Sequence, residues 1–392
     1  MTKPRLVFVL LMTIGLSAAS YGVMFTMLDD FRNSFGISRS ALGFIVAIGF
    51  FTSFLGQVTL APLADRGRAR RLIVIGLGLE VIGCIGMAFG STFIALLISR
   101  LIMGLGAGAA LPALRRVIIV ADPIHFGRNL GRILSFEVGG FATGPVISVL
   151  LVGSFGIPGP FLFLAVIIAG LGFFVNRINV PETAKEDHPT ERFAIDLLKN
   201  RAIASGILIG VALFFMIGVF DSLWVLMMDD MGAKPWMANL GISLFALPLV
   251  IMGPFGGRLV QRIGPYRAGG FGMICGALFM AGYGIMPTPP LMILVFLFHT
   301  INDGFFVTGA GIAVGTSAPL ERQASAQGLL GGMQVLAAGF AASFAGLSYD
   351  HFGRATTFIG TGVIMISLIA LSRVLAGDHW SLRNVTTKSA VH

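Results

Sequence analysis

Five ionisable side chains, Glu80, Arg100, Glu137, Asp221 and Asp303, fall inside long apolar runs of the chain. Charge at the centre of a bilayer costs roughly 2.5–3.5 kcal/mol on insertion scales, so each should face a partner, a cavity or an interface. The chemistry such groups offer is reversible protonation. A carboxylate withdrawn from water holds its proton more tightly and can load or release it as solvent access alternates. Asp303 stands in the polar patch His299-Thr300-Ile301-Asn302-Asp303-Gly304, where His299 and Asp303 are four residues apart and share a helical face. Such a pair can store a proton, or it can belong to a buried polar network that fixes packing. Asn302 beside the carboxylate leaves Na⁺ open as an alternative ion. Glu137 lies three residues before Gly140 on the same broad face and offers a coupling or substrate role, or a structural hydrogen bond. Asp221, with Ser222 and Trp224, is expected to line the outer half of a cavity. Arg100 can bind an anionic group, hold a carboxylate such as Glu137 ionised, or pack helices. Glu80 is expected to be structural.

The chain is rich in Phe (34) and Met (18), side chains that suit promiscuous apolar ligands. Tyr21, Met24, Phe25, Phe214, Trp224, Phe305, Phe306, Met333 and Gln334 are the candidates for a cavity wall. Facing lipid or neighbouring helices is the alternative for each.

The elements that must position these groups follow from composition. The 392 residues are 56% hydrophobic and 11% charged, against roughly a quarter charged in soluble domains. Apolar windows predict twelve membrane helices, near 6–28, 41–63, 72–90, 92–114, 130–152, 159–176, 203–227, 238–259, 267–286, 290–314, 325–347 and 355–375. The first begins with Lys3 and Arg5 like a signal peptide, but its apolar run continues through Leu28, which predicts an uncleaved span. The one long polar break, Asn179–Arg201, divides the chain into an N-terminal six-helix bundle (1–178), a cytoplasmic linker (179–201), a C-terminal six-helix bundle (202–377) and a cytoplasmic tail (378–392). The linker is expected to be solvated and without a site. With both termini cytoplasmic, only Arg32, Arg39, Lys234 and Arg354 fall in outer segments and Arg100 within a span, and all other Lys and Arg fall inside. The +9 net charge is therefore read as orientation and not as a nucleic-acid face. Cys84 and Cys275 both lie in apolar runs, which argues against a disulfide or metal site.

Two charged turns between apolar runs look alike. Leu63-Ala64-Asp65-Arg66-Gly67-Arg68-Ala69-Arg70-Arg71 separates the second and third windows. Gly256-Gly257-Arg258-Leu259-Val260-Gln261-Arg262-Ile263-Gly264-Pro265-Tyr266-Arg267 separates the eighth and ninth. Met27-Leu28-Asp29-Asp30 and Met228-Asp229-Asp230 end the first and seventh. Two six-span repeats in one orientation imply a pseudo-two-fold axis along the membrane normal and a substrate near the midplane.

The first turn resembles the signature loop of the major facilitator superfamily, with Ala61 or Pro62 in place of the leading Gly and Gly67 one residue early. Arg100-Leu101-Ile102-Met103-Gly104-Leu105-Gly106-Ala107-Gly108 is similar to that superfamily's fourth span. Gly140-Phe141-Ala142-Thr143-Gly144-Pro145 resembles the Gly-x-x-x-Gly-Pro motif of its drug:proton antiporters, without the trailing Gly pair. Physically, Gly140 and Gly144 admit a neighbouring helix and Pro145 permits a kink. The resemblance implies the all-α major facilitator fold of two six-helix bundles. It also implies a conformational latch at Asp65, Arg66 and Arg70 that holds the outward-open state.

No Gly-x-x-x-x-Gly-Lys-Ser/Thr loop or His-Glu-x-x-His motif occurs, and no nucleophile–base set is apparent, so neither ATP-driven transport nor catalysis is expected. No cofactor is called for. The reading is a proton-coupled antiporter, a monomer in the bacterial inner membrane. It exports a small apolar or amphipathic molecule. An uptake symporter or uniporter for an organic anion or sugar, with Arg100 as anion site, is the alternative, and a non-transporting membrane scaffold is a third class.

Overall fold

Apolar runs of this length satisfy their backbone in lipid only as helices, and helices account for the regular structure. The computed structural model describes residues 3–191 and 193–381, and no strand occurs among them. Arg192, Arg383 and Lys388 lie outside the described residues, as does the expected tail beyond Ser381.

In chain order the helices are α1 (Lys3–Thr26), α2 (Leu28–Phe35), α3 (Arg39–Thr59), α4 (Ala61–Leu63), α5 (Ala69–Phe89), α6 (Phe93–Ala121), α7 (Phe126–Phe155), α8 (Pro158–Arg177), α9 (Arg201–Asp230), α10 (Pro235–Ile263), α11 (Pro265–Ile285), α12 (Pro289–Phe306), α13 (Gly309–Ser317) and α14 (Gln323–Ala376). Nine helical segments among the described residues are long and apolar enough to cross a membrane. Two of these, Ala41–Phe89 with 49 residues and Leu320–Ser381 with 62, exceed twice the ~20 residues of one crossing. Each breaks at a glycine, Gly67 (φ +69°) in the first and Gly353 (φ +75°) in the second. With α10 this makes twelve crossings, an all-α polytopic membrane protein.

The expected windows fall on these helices, and most helices run further at one end. The window 92–114 stops at Arg115-Arg116, whereas α6 continues to Ala121, because a helix keeps its backbone paired beyond the hydrocarbon edge. The window 290–314 is interrupted: α12 ends at Phe306 and α13 begins at Gly309. The two charged turns share one backbone device. Gly67 has φ +69° and Gly264 has φ +111°, a region where only glycine is unstrained.

By contacts the chain forms two compact units. The first comprises Met1–Asp122, Phe136–Asp196 and Leu320–Gly332, and the second Pro123–Ser135, Leu197–Pro319 and Met333–His392. In the first, α5 and α3 pack on α6, and α5 also on α8. The packing is close because it runs through glycine: a methyl on Gly108 would meet the backbone of Ser53 and Gly56, and one on Gly106 that of Gly76. The Gly104–Gly108 run is thus helix packing. In the second unit, α12 packs on α10 and α11, and α9 on α13.

Candidate functional site

In the second unit, the polar patch of α12 turns inward and is buried. His299 Nε2 lies 3.5 Å from Asp303 Oδ2, as the four-residue spacing predicts. His299 Nδ1 shares a 3.0 Å hydrogen bond with the Tyr283 hydroxyl of α11, and Nε2 is 3.2 Å from the Met216 sulfur of α9. Asn302 Nδ2 donates to Gly272 O at 3.1 Å and to Asp303 Oδ1 at 3.2 Å. Phe279 stacks on the imidazole at 5.2 Å, and Phe220 meets it edge-on at 6.2 Å. The helix is interrupted at Val307-Thr308, one turn beyond Asp303. A carboxyl and an imidazole in contact, buried and ringed by aromatics, can hold one proton between them. Tyr283 and Met216 come from other helices, so no local spacing announced them.

Trp224 and Met24 were expected on a cavity wall, and the structure corrects both. Trp224 is 2% exposed and packs at 5.0 Å on both Phe220 and Phe296, an aromatic cluster that removes a large indole from any surface. Met24 is fully buried. Asp221 is exposed along α9 with no ion-pair partner among the described residues. Phe306 is half-buried against Phe271 at 5.6 Å, and Gln334 is half-buried on α14.

In the first unit Arg100 is fully buried, and among the described residues none of its three guanidinium nitrogens has a hydrogen-bond partner. The guanidinium lies 4.2 Å over the Tyr21 ring and 5.9 Å from that of Phe50. Tyr21 donates to Met103 O at 3.2 Å. Phe25 packs between Phe50 at 6.2 Å and Phe141 at 5.8 Å. Arg100 does not hold Glu137: that carboxylate pairs with Arg115 at 2.7 Å in a partly exposed site, because Arg115 rather than Arg100 is level with it on α6. Glu80, expected to be structural, is fully buried, with the Ser17 hydroxyl 2.7 Å from both its oxygens.

Gly140 and Gly144 lie where α7 approaches α1. A methyl at Gly140 would strike the Gly15 carbonyl of α1, and one at Gly144 the backbone of Gly22 and Val23. Pro145 lies within α7, which runs on to Phe155.

Asp65 is fully buried at the α3–α5 turn. It accepts from Ala324 N at 2.9 Å, Ser325 N at 2.7 Å and Ser325 Oγ at 2.6 Å. Its ionic partner is Arg116 at 3.2 Å. Burial pushes the Asp65 carboxyl up to about 6, while the Ser325 and Ala324 hydrogen bonds and Arg116 pull the other way. Arg66 and Arg70, expected beside it, are engaged elsewhere. Arg66 donates to the carbonyls of Pro189, Thr190 and Glu191, and Arg70 offers its backbone N–H to Glu182 at 2.9 Å. The linker is therefore docked, contrary to expectation. Glu182 caps α5, Arg116 donates to Pro181 O and Thr183 Oγ1, and Arg322 pairs with Asp196. Free carbonyls and acids in a polar segment are natural partners for the basic turn it follows.

The family model of the Major Facilitator Superfamily matches residues 9–225 and 206–383. Among curated proteins the chain is similar to the quinolone resistance protein NorA of Staphylococcus aureus (strain MRSA252), 31% identical over 146 residues. That alignment covers 36% of this chain and 37% of the relative, so the match spans little more than a third of NorA. Of solved structures, the human organic anion transporter MFSD10 superposes with a TM-score of 0.78 at 17% identity, covering 95% of this chain and 100% of that one. The proton:xylose symporter XylE bound to 6-bromo-6-deoxy-D-glucose gives 0.76 at 15%, covering 98% of each.

Proposed function

Because the chain belongs to the major facilitator superfamily, we propose that it is a proton-coupled secondary transporter that exports a small apolar or amphipathic molecule by alternating access. The observation that carries this reading is the buried His299–Asp303 pair at 3.5 Å, set one turn before the break between α12 and α13. Discontinuous helices supply the ion and substrate sites of many secondary transporters. A proton arriving from one side neutralises the pair, which lowers the cost of closing the site against water. Release to the other side restores the charge and resets the carrier. Tyr283 and Asn302 orient the two groups, and Asp221 is a second carboxylate on which a proton can ride. Na⁺ is the alternative ion, with Asn302 and Asp303 as oxygen ligands. The likeness to NorA, whose name concerns quinolone resistance, supports export.

In this reading Asp65 is the acceptor of a latch at the start of α14, with Arg116 as its ionic partner and Arg66 and Arg70 holding the linker. The protein sits as a monomer in the bacterial inner membrane with both termini cytoplasmic. A second reading, carriage of an organic anion, is favoured by one observation: the fully buried Arg100 guanidinium has no hydrogen-bond partner among the described residues.

The test is transport in proteoliposomes under an imposed pH gradient, with internal pH recorded as dyes, antibiotics, sugars and carboxylates are added. Proton movement opposite to substrate, lost in Asp303→Asn, is the expected result. Co-directional movement makes the protein a symporter, and transport indifferent to pH removes proton coupling.

A further inference from the structure

A groove of about 920 Å³ lies in the second unit, lined along two helices by residues that change character with depth. On α11 the lining residues are Arg267, Phe271 and Ile274, and on α14 they are Ile366, Ile369, Ala370 and Arg373. Both sets follow helical spacing on one face. Each begins apolar inside the span and ends in arginine at the helix terminus. Arg262, in the last turn of α10, adds a third cation. All three arginines are exposed. Among the described residues no acidic side chain lines the groove and no ion pair of these arginines is found.

The mouth is built as well as charged. After α14 the chain turns back in the short helix Gly377–Ser381, which brings Trp380 to the groove. Its indole lies so close to Gly270 of α11 that a methyl there would overlap the ring. Arg373 sits 5.6 Å over the same indole. Aromatic and basic residues at a helix end mark headgroup level, and basic pockets between spans hold anionic headgroups.

We infer that this groove binds one anionic phospholipid, its phosphate among Arg262, Arg267 and Arg373 and an acyl chain along Phe271, Ile274 and Ile366. Nothing in the transport chemistry proposed above uses these arginines, so the site stands independently of that reading. Three like charges converging without a carboxylate repel one another, and a phosphate removes that repulsion. A neutral lipid fills the apolar floor but leaves the cations unmatched. A soluble phosphate matches the cations but leaves the floor empty.

The test uses the full-length protein purified in neutral detergent, with native mass spectrometry and thermal unfolding as readouts. Phosphatidylglycerol, phosphatidylcholine and glycerol phosphate are titrated separately. The expected result is retention of one phosphatidylglycerol with a raised midpoint, and weak effects from the other two. Each arginine near an anionic surface is worth about fivefold in affinity, so R262Q/R267Q/R373Q should weaken phosphatidylglycerol at least tenfold. R258Q, on an arginine of α10 that does not line the groove, should leave binding unchanged. Exposed arginines are tolerated substitutions, and the lipid-free midpoint verifies that the triple variant folds. Equal retention of phosphatidylcholine, an unchanged triple variant, an equal loss in R258Q, or full stabilisation by glycerol phosphate would each overturn the inference. So would a change in oligomeric state on lipid removal, which would make the groove a contact between copies.

Discussion

Asp65 caps the helix that begins two residues before Ser325: its carboxylate accepts both the backbone N–H of Ser325 at 2.7 Å and its hydroxyl at 2.6 Å. The Ala324 N–H donates to the other oxygen at 2.9 Å. The first N–H groups of a helix have no partner within it, so an acid supplied from a turn far away in sequence joins the α3–α5 turn to the start of α14. Removing a capping acid costs about 0.5–2 kcal/mol, and stranding Arg116 adds to that. Asp65→Ala should therefore speed amide hydrogen exchange at 324–328 at least tenfold, with Asp65→Asn intermediate. Unchanged exchange there would show that the cap does not hold α14 in place.

Glu137 and Asp303 differ in their surroundings, and the difference predicts different mutants. Glu137 is paired with Arg115 at 2.7 Å and is partly exposed, which ties its carboxylate to one fixed partner. Asp303 is buried beside His299 and Asn302, and among the described residues no cation of fixed charge pairs with it. Asp303→Asn should abolish substrate-driven proton flux in proteoliposomes, whereas Glu137→Gln should retain it within a few-fold and lower the thermal midpoint by a few degrees. A reversed pattern would move the coupling site to α7.

The contact of α1 with α7 is made at glycine. A methyl at Gly140 has no room against Gly15, whereas Gly153 on the same helix has open space around its Cβ position. Forcing atoms into a packed interface costs roughly 1–3 kcal/mol. Gly140→Ala should lower the thermal midpoint clearly or abolish folded yield, and Gly153→Ala should match the wild type or exceed it. Equal midpoints would mean that α1 and α7 are not packed in solution as the geometry requires.

The membrane helices were legible because hydropathy and length together leave the backbone few alternatives. His299–Asp303 was legible for a local reason, four-residue spacing on one helix. Tyr283, Met216, Arg115 and Arg116 were not, since each reaches its partner from a different helix and no periodicity records that. Glu80 shows the limit most clearly. Its sequence neighbours are apolar whichever way it faces, and only the tertiary contact with Ser17 reveals that it points inward. The linker was misjudged from composition: charged segments are usually solvated, but this one follows a basic turn whose donors it satisfies.

Arg100 poses the sharpest question of function against stability. Its guanidinium is fully buried over Tyr21, its three nitrogens lack acceptors among the described residues, and the Glu80 carboxylate acts on it only through space. A buried polar group without its hydrogen bonds costs about 1–3 kcal/mol, and more when it is charged, whereas a cation stacked on a desolvated ring regains up to about 2. The cost exceeds the gain, so stability alone gives no reason for an arginine here. Arg100→Met, similar in length and apolar, should hold or raise the thermal midpoint while cutting transport at least tenfold. Arg100→Lys keeps the charge but loses the planar stack, and should fall between the two in transport. A large drop in midpoint for Arg100→Met, with transport by the folded fraction intact, would assign this residue to packing and remove the anion-carriage reading.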